Sequence, residues 1–257
     1  VLKRNMAQDL AVATSERRVA LVTGANRGIG YAVTTALARL GFTVLVGARD
    51  PHRGATAVAE MRSTGLDARL LLLDVRDDRS VAEAATRVTA DPGRLDVLVN
   101  NAALKLEFHP APPSRTSLEV VRETYETNVF GAIRVLKAML PILLATSPAP
   151  RVVNVSSGLG SLCLASTAGS KYQSRPLLGY STSKTALNAV TVQFANELRS
   201  TPLKINAVDP GYVRTDMTRH DGSRTPDQAA EVIVRLATLP DDGPTGGFFD
   251  EAGPVPW

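Results

Sequence analysis

Residues 18–31 read RVALVT-GANRGIG-Y, a short apolar run that enters a glycine-rich turn and leaves it with helical spacing. A strand of near-continuous Val, Leu and Ala is expected where both faces of a sheet are covered, the usual condition of a parallel sheet. A glycine turn after such a strand lets the chain reverse sharply. It also aims the first N–H groups of the next helix at an anion, such as a pyrophosphate. The spacing is G-x-x-x-G-x-G, with Gly24, Gly28 and Gly30 enclosing Asn26, Arg27 and Ile29, rather than G-x-G-x-x-G. A glycine-rich turn alone is weak evidence. Its place at the first strand-to-helix junction makes it a candidate dinucleotide cradle.

The pattern continues outward. Apolar runs at 18–23, 42–46, 69–73, 95–99, 151–155 and 203–208 read as strands. Helical periodicity covers 29–40, 55–63, 80–90, 117–145 (broken near 128–131), 181–199 and 226–239. Strand–helix alternation predicts an α/β fold, a single Rossmann-type domain over residues 19–257 with a doubly wound parallel sheet of about seven strands flanked by helices. No repeat and no interdomain linker is visible. Residues 1–18 lack apolar periodicity and read as a flexible leader. No long apolar core follows Lys3 and Arg4, as a secretory signal requires, so a cytoplasmic location is expected.

Composition narrows the classes. The chain has 257 residues, 44% hydrophobic and 21% charged, which excludes intrinsic disorder, and its single cysteine excludes an internal disulfide framework. Apolar stretches such as 138–145 fall short of the ~20 residues of a membrane span, so no membrane partner is expected. The sequence pI is about 9.4. Half of the formal charge of +4 lies in residues 1–18, and residues 19–257 hold 25 Lys/Arg against 23 Asp/Glu. No basic run or aromatic-interleaved stripe suggests nucleic acid. The anion to explain the basic balance is local.

The end of the second strand points to that anion. An acidic side chain there would accept the ribose 2′-OH of NAD. This chain has Ala48-Arg49 instead. Arg49, with Arg27 approaching from the glycine turn, suits the 2′-phosphate of NADP(H). Asp50-Pro51 reads as a cap and first-turn proline of the next helix.

Tyr180 and Lys184 stand four residues apart at the start of a predicted helix, on one face and one turn apart. An ammonium near a phenol favours the phenolate, so Lys184 is expected to lower the Tyr180 pKa and make it an effective acid–base group. Strand 151–155 delivers Ser156 and Ser157 to its carboxyl end, where open α/β sheets bind ligands. Ser157 suits donation to a substrate oxygen, and Ser156 suits a turn cap. Asn128 falls where the long helix is expected to break, and its carbonyl is suited to hold a water against Lys184.

Taken together, TGANRGIG, Asn100-Asn101-Ala102, Asn128, VNVSS, YSTSK and DPGYVRTDM resemble the short-chain dehydrogenase/reductase family over essentially all of residues 19–257. Within it the chain is similar to NADPH-dependent carbonyl reductases, on VALVTGANRGIG, the ARD of 48–50, RVVNVSS, PGYVRTDM and the GPTGGFF…PW ending. The resemblance implies a tetrad of Asn128, Ser157, Tyr180 and Lys184. Tyr180 would protonate the carbonyl oxygen, Ser157 would orient it, and Lys184 would bind the nicotinamide ribose and link through water to Asn128. It further implies that Asp74 and Val75 hold the adenine, Asn101 contacts the adenosine side, and Val213 with Thr215 meet the carboxamide after the Pro210-Gly211 turn.

Two features depart from the family pattern. Ala103 stands where glycine is usual, and Ser157 and Tyr180 are 23 positions apart, more than in most members. The longer segment, 158–179, leaves monomer and homodimer both open. His52, His109 and His220 lack ligand spacing, so no metal site is expected. His109 and His220 lie on the ligand side, Cys163 reads as inert, and Trp257 as packed on the domain. The expected partner is a small carbonyl substrate reduced with NADP(H). Oxidation of an alcohol, or cofactor sensing by a vestigial site, are the rival readings.

Overall fold

The computed structural model describes residues 17–108 and 111–257. The expected leader therefore lies outside the described residues up to position 16, as does His109. Seven strands form one sheet in the order β3-β2-β1-β4-β5-β6-β7. They are β1 (Val19–Thr23), β2 (Thr43–Ala48), β3 (Ala68–Leu72), β4 (Val97–Asn100), β5 (Arg151–Val155), β6 (Lys204–Val208) and β7 (Phe248–Phe249). Every pairing is parallel, with Leu21 flanked by Leu45 on one side and Leu98 on the other. The sheet winds outward in both directions from β1 and β4, so a switch-point crevice opens at their carboxyl ends. The six strands read from the sequence are all present within two residues at each boundary, and β7, whose position the sequence does not mark, completes the expected sheet of about seven.

The helices are α1 (Gly28–Arg39), α2 (Pro51–Ser63), α3 (Asp78–Ala90), α4 (Leu118–Tyr125), α5 (Ala132–Thr146), α6 (Leu162–Ser166), α7 (Leu178–Glu197) and α8 (Pro226–Ala237). Asp50 caps α2 as expected, accepting from the His52 and Arg53 amides at 3.0 Å each. β1 alternates between two cores. Ala20 and Val22 meet Val33 and Leu37 of α1 and Ile233 of α8; Val19 and Leu21 meet Val88 of α3 and Met139 of α5. This two-sided burial explains why the strands read as continuous apolar runs.

The expected break between α4 and α5 is a π-helical turn, Glu126–Gly131. Such turns widen the helix locally and recur at functional sites. A Cβ on Gly131 would come within 2.8 Å of Val75 Cγ2, so the turn lies tightly against the end of the third strand–loop unit. The continuous run Leu118–Thr146 is long and apolar enough, by length and composition, to cross a membrane. Here Val135, Leu136, Met139 and Leu143 are spent on the core under the sheet.

Segment 158–179, unassigned from sequence, contains a 3-10 turn (Gly158–Gly160) and α6. It packs against the end of the chain. The Cys163 amide donates to Trp257 O at 2.8 Å, the Ser161 hydroxyl donates to Pro256 O, and Trp257 stacks on Phe248 with ring centroids 5.5 Å apart. Trp257 thus packs on the domain as expected. Cys163 itself is exposed.

Candidate active site

A cleft of about 670 Å³ occupies the switch point. The glycine turn forms its floor. Gly24 adopts φ +63°, a left-handed conformation that favours glycine. At Gly30 an added Cβ would lie 2.6 Å from both Asn101 Nδ2 and Gly24 O, so the close approach of turn and strand requires glycine. Asn101 fixes this approach by donating from Nδ2 to Thr23 O at 2.8 Å and to Gly24 O at 3.2 Å. Arg27, the residue before α1, makes no side-chain cap, and α1 has no acid in its first turn. The helix therefore keeps its positive end and unpaired N–H groups for an anion.

Of the residues expected to hold a cofactor, Gly24, Asn26, Arg27, Gly28, Ile29, Gly30, Arg49, Asp74, Val75, Asn101, Tyr180, Lys184 and Thr215 all line this cleft. Val213 is the exception: it borders a second cavity of about 450 Å³ that adjoins the first. Tyr180, Ser156, Ile29, Pro210, Thr215 and Met217 belong to both walls. The cleft volume and the uncapped helix end fit a dinucleotide. Arg27 differs in one respect from expectation, because its guanidinium is already ion-paired with Asp216. His220 also lines the cleft, 2.9 Å from the same Asp216.

Tyr180 stands in the first turn of α7 and is buried, with Lys184 one turn on. The Lys184 Nζ lies 5.7 Å from the Tyr180 ring centroid and donates to Val155 O at 2.7 Å. The expected lowering of the Tyr180 pKa is not what the structure gives. Burial pushes the phenol up, the Asp209 carboxylate adds to the rise, and a hydrogen bond with Ser157 opposes them. Burial also brings Lys184 down to about 7. Desolvation disfavours the charged form of each.

Ser157 takes the capping part expected of Ser156 and keeps its place beside Tyr180. Ser157 is the cap, its Oγ accepting from the Leu159 amide at 3.2 Å. Ser156 is buried and donates to Asn188 Oδ1 at 2.6 Å. The reason is the sharp turn into Gly158–Gly160, which directs the second serine back over its own loop. Ser157 remains on the wall of the second cavity beside Tyr180.

Asn128 lies behind the cleft, buried within the π-helical turn. Its Oδ1 accepts the Leu104 amide at 2.7 Å, and its Nδ2 donates to Leu104 O and Ser183 Oγ at 3.0 Å each. The side-chain carbonyl is thus tied to the loop after β4. Asn128 joins that loop to the helix carrying Tyr180.

Two residues at this site were missed by sequence reading. Glu107 reaches from the loop after β4 to the first amides of α7. Asp209, at the end of β6, is buried, accepts from the Gly211 amide at 3.0 Å, and is pushed above the usual carboxylate range by that burial. Its position directly before Pro210-Gly211 at a strand end was the available signal. Glu107 carried none.

A protonated phenol and a hydroxyl facing one cavity, beside a cleft shaped for a dinucleotide, are equipped to exchange protons with an oxygen during redox chemistry. That combination defines a Rossmann-fold oxidoreductase. Comparison with known proteins gives the family. Residues 18–225 match the model of short chain dehydrogenases. Carbonyl reductase (NADPH) 1 of Mus musculus is 34% identical over 95% of this chain and 100% of its own. The (+)-neomenthol dehydrogenase of Capsicum annuum is 31% identical over 93% and 98%. The crystal structure of NADPH-bound carbonyl reductase from chicken fatty liver superposes with a TM-score of 0.81, at 28% identity over 94% of this chain and 99% of that one. The chain belongs to the short-chain dehydrogenase/reductase family, oxidoreductases of C=O and CH–OH groups that use a nicotinamide cofactor.

Proposed function

We propose that this chain is an NADPH-dependent carbonyl reductase of ketones or aldehydes. The observation that carries the reading is that Tyr180 and Ser157 share the wall of the second cavity, where Tyr180 also borders the cleft. A phenol whose pKa is raised by burial stays protonated through the physiological range, as a general acid must. Tyr180 would donate its proton to the carbonyl oxygen, and the Ser157 hydroxyl would stabilise charge building on that oxygen.

The amides of the Gly24–Gly30 turn would hold the pyrophosphate, with Arg49 and Arg27 on the 2′-phosphate. Asp74 and Val75 would border the adenine, Asn101 the adenosine side, Lys184 the nicotinamide ribose, and Thr215 with Val213 the carboxamide. The bound cofactor supplies the hydride. The names of the Mus musculus relative and of the chicken structure, both NADPH carbonyl reductases, support the same cofactor here.

The name of the Capsicum relative supports a second reading, alcohol oxidation. The same site would serve it, with Tyr180 accepting the proton instead of donating it. The test is Tyr180→Phe assayed with NADPH against ketones, aldehydes and quinones. Ketone-dependent NADPH oxidation should fall at least about 100-fold while NADPH still binds. Unchanged turnover would remove Tyr180 as the acid. Binding of NADPH by the wild type without turnover of any carbonyl would favour cofactor sensing instead.

A further inference from the structure

The second cavity has a charge signature that reduction of a neutral ketone does not require. Lys105 and Arg175 line it. Arg219 lies at its edge over the Phe108 ring, with Cζ 5.0 Å from the centroid, and Lys105 Nζ is 5.8 Å from the same centroid. Arg175 lies 4.9 Å from the centre of the Tyr212 ring. The three cations come from three separate segments: the loop after β4, the long segment 158–179, and the loop after β6.

Among the described residues, no acidic side chain forms an ion pair with any of them. The one carboxylate in the cavity wall, Glu107, is turned to the α7 amides of Gly179 and Tyr180. Burial, then Arg175 and Arg219, hold Lys105 below the ordinary lysine value, against a smaller opposing pull from Glu107. Arg219 and His220 both have left-handed backbone, φ 52° and 61°. L-residues adopt that conformation only at a cost, and its occurrence beside a ligand cavity is a common sign of function.

Three like charges against one carboxylate that is bonded elsewhere are stabilised by a further anion placed among them. We propose that the substrate is a carbonyl compound bearing a carboxylate, its carbonyl at Tyr180 and Ser157 and its carboxylate among Lys105, Arg175 and Arg219. This rests on the carbonyl reductase reading and narrows it to keto acids and their aldehyde counterparts.

The test compares 4-acetylbenzoate with methyl 4-acetylbenzoate, and 4-oxopentanoate with its methyl ester, under NADPH. The readout is the ratio of kcat/KM for acid over ester in the wild type and in Lys105→Met, Arg175→Gln and Arg219→Gln. Removing one partner of a charge-assisted contact should lower that ratio about tenfold or more, mainly through KM of the acid. In the wild type the ratio should exceed one and decline in 0.5 M NaCl, added here to screen the cations. A wild-type ratio near one, with the ester turned over, overturns the carboxylate proposal and leaves the reductase reading standing. A high ratio that survives all three substitutions overturns the assignment to these cations. Turnover of neither acid nor ester, nor of the wider carbonyl panel, overturns the reductase reading and this proposal with it.

Discussion

The Glu107 carboxylate caps the helix that carries Tyr180, Oε2 accepting the Tyr180 amide at 2.8 Å and Oε1 the Gly179 amide at 3.1 Å. Leu177, which precedes α7, offers no side-chain cap of its own, so these bonds replace one from 70 residues upstream. The loop after β4 is thereby locked to the tyrosine, and Asn128 locks the same loop at Leu104.

Glu107→Ala should therefore act on both stability and chemistry. Loss of a helix cap costs about 1 kcal/mol, visible as a lower midpoint in denaturant. A shifted Tyr180 should lower kcat more than it raises KM. Glu107→Gln keeps one carbonyl oxygen to accept an amide and should recover most of both. Unchanged kcat in Glu107→Ala would show that the cap does not position the phenol.

Arg49 and Arg27 should contribute unequally to cofactor choice. Arg49 lines the cleft with no ion pair among the described residues, whereas Arg27 is held by Asp216. Arg49→Asp should weaken NADPH at least about tenfold more than NADH, the scale of one lost charge-assisted contact. Arg27→Ala should do less. Both groups of the Arg27–Asp216 pair are largely exposed, so the pair is worth about 1 kcal/mol at most. Asp216→Asn should consequently tighten NADPH slightly by releasing the guanidinium. Fluorescence titration of both cofactors against the three variants checks the order, and equal loss of NADH and NADPH in Arg49→Asp would remove the 2′-phosphate argument.

Much of this was legible in the sequence, for a physical reason. Parallel strands buried on both faces write themselves as Val- and Leu-rich runs, and the glycine turn and Tyr180–Lys184 pair are local spacings. Contacts across the fold leave no such trace. Glu107 meets Tyr180 from 73 positions away, and nothing in the Pro-rich loop that follows marks it as a cap. That Ser157 rather than Ser156 caps the turn depends on the direction of one turn. The Tyr180 pKa was misjudged because the i, i+4 spacing shows the ammonium and not the burial around both groups. β7, two residues long, is below the length at which periodicity can speak.

Lys184 should make stability depend on pH in a window that few other groups share. It is 2% exposed, and burial lowers its pKa to about 7 from the 10.5 of an exposed lysine. Between these values the unfolded chain keeps a proton that the folded chain has released. Unfolding then takes up a proton, and stability rises with pH by about 1.4 kcal/mol per unit for one full proton. Below pH 7 both states are protonated, the slope vanishes, and the folded state bears the whole cost of the buried ammonium. Lys105 is also lowered and adds in the same direction, so the comparison must be with Lys184→Met, which removes one contribution and leaves the other. Tyr180, being raised above 10, enters only at higher pH. Urea unfolding at pH 6, 7.5 and 9 should show wild-type stability gaining on Lys184→Met between pH 7.5 and 9 by about 2 kcal/mol at most, with no gain below pH 6. The variant should lose turnover at every pH. A difference that stays flat from pH 6 to 9 would mean that Lys184 keeps its charge in the fold, and that its ammonium, rather than burial, sets the acidity of Tyr180.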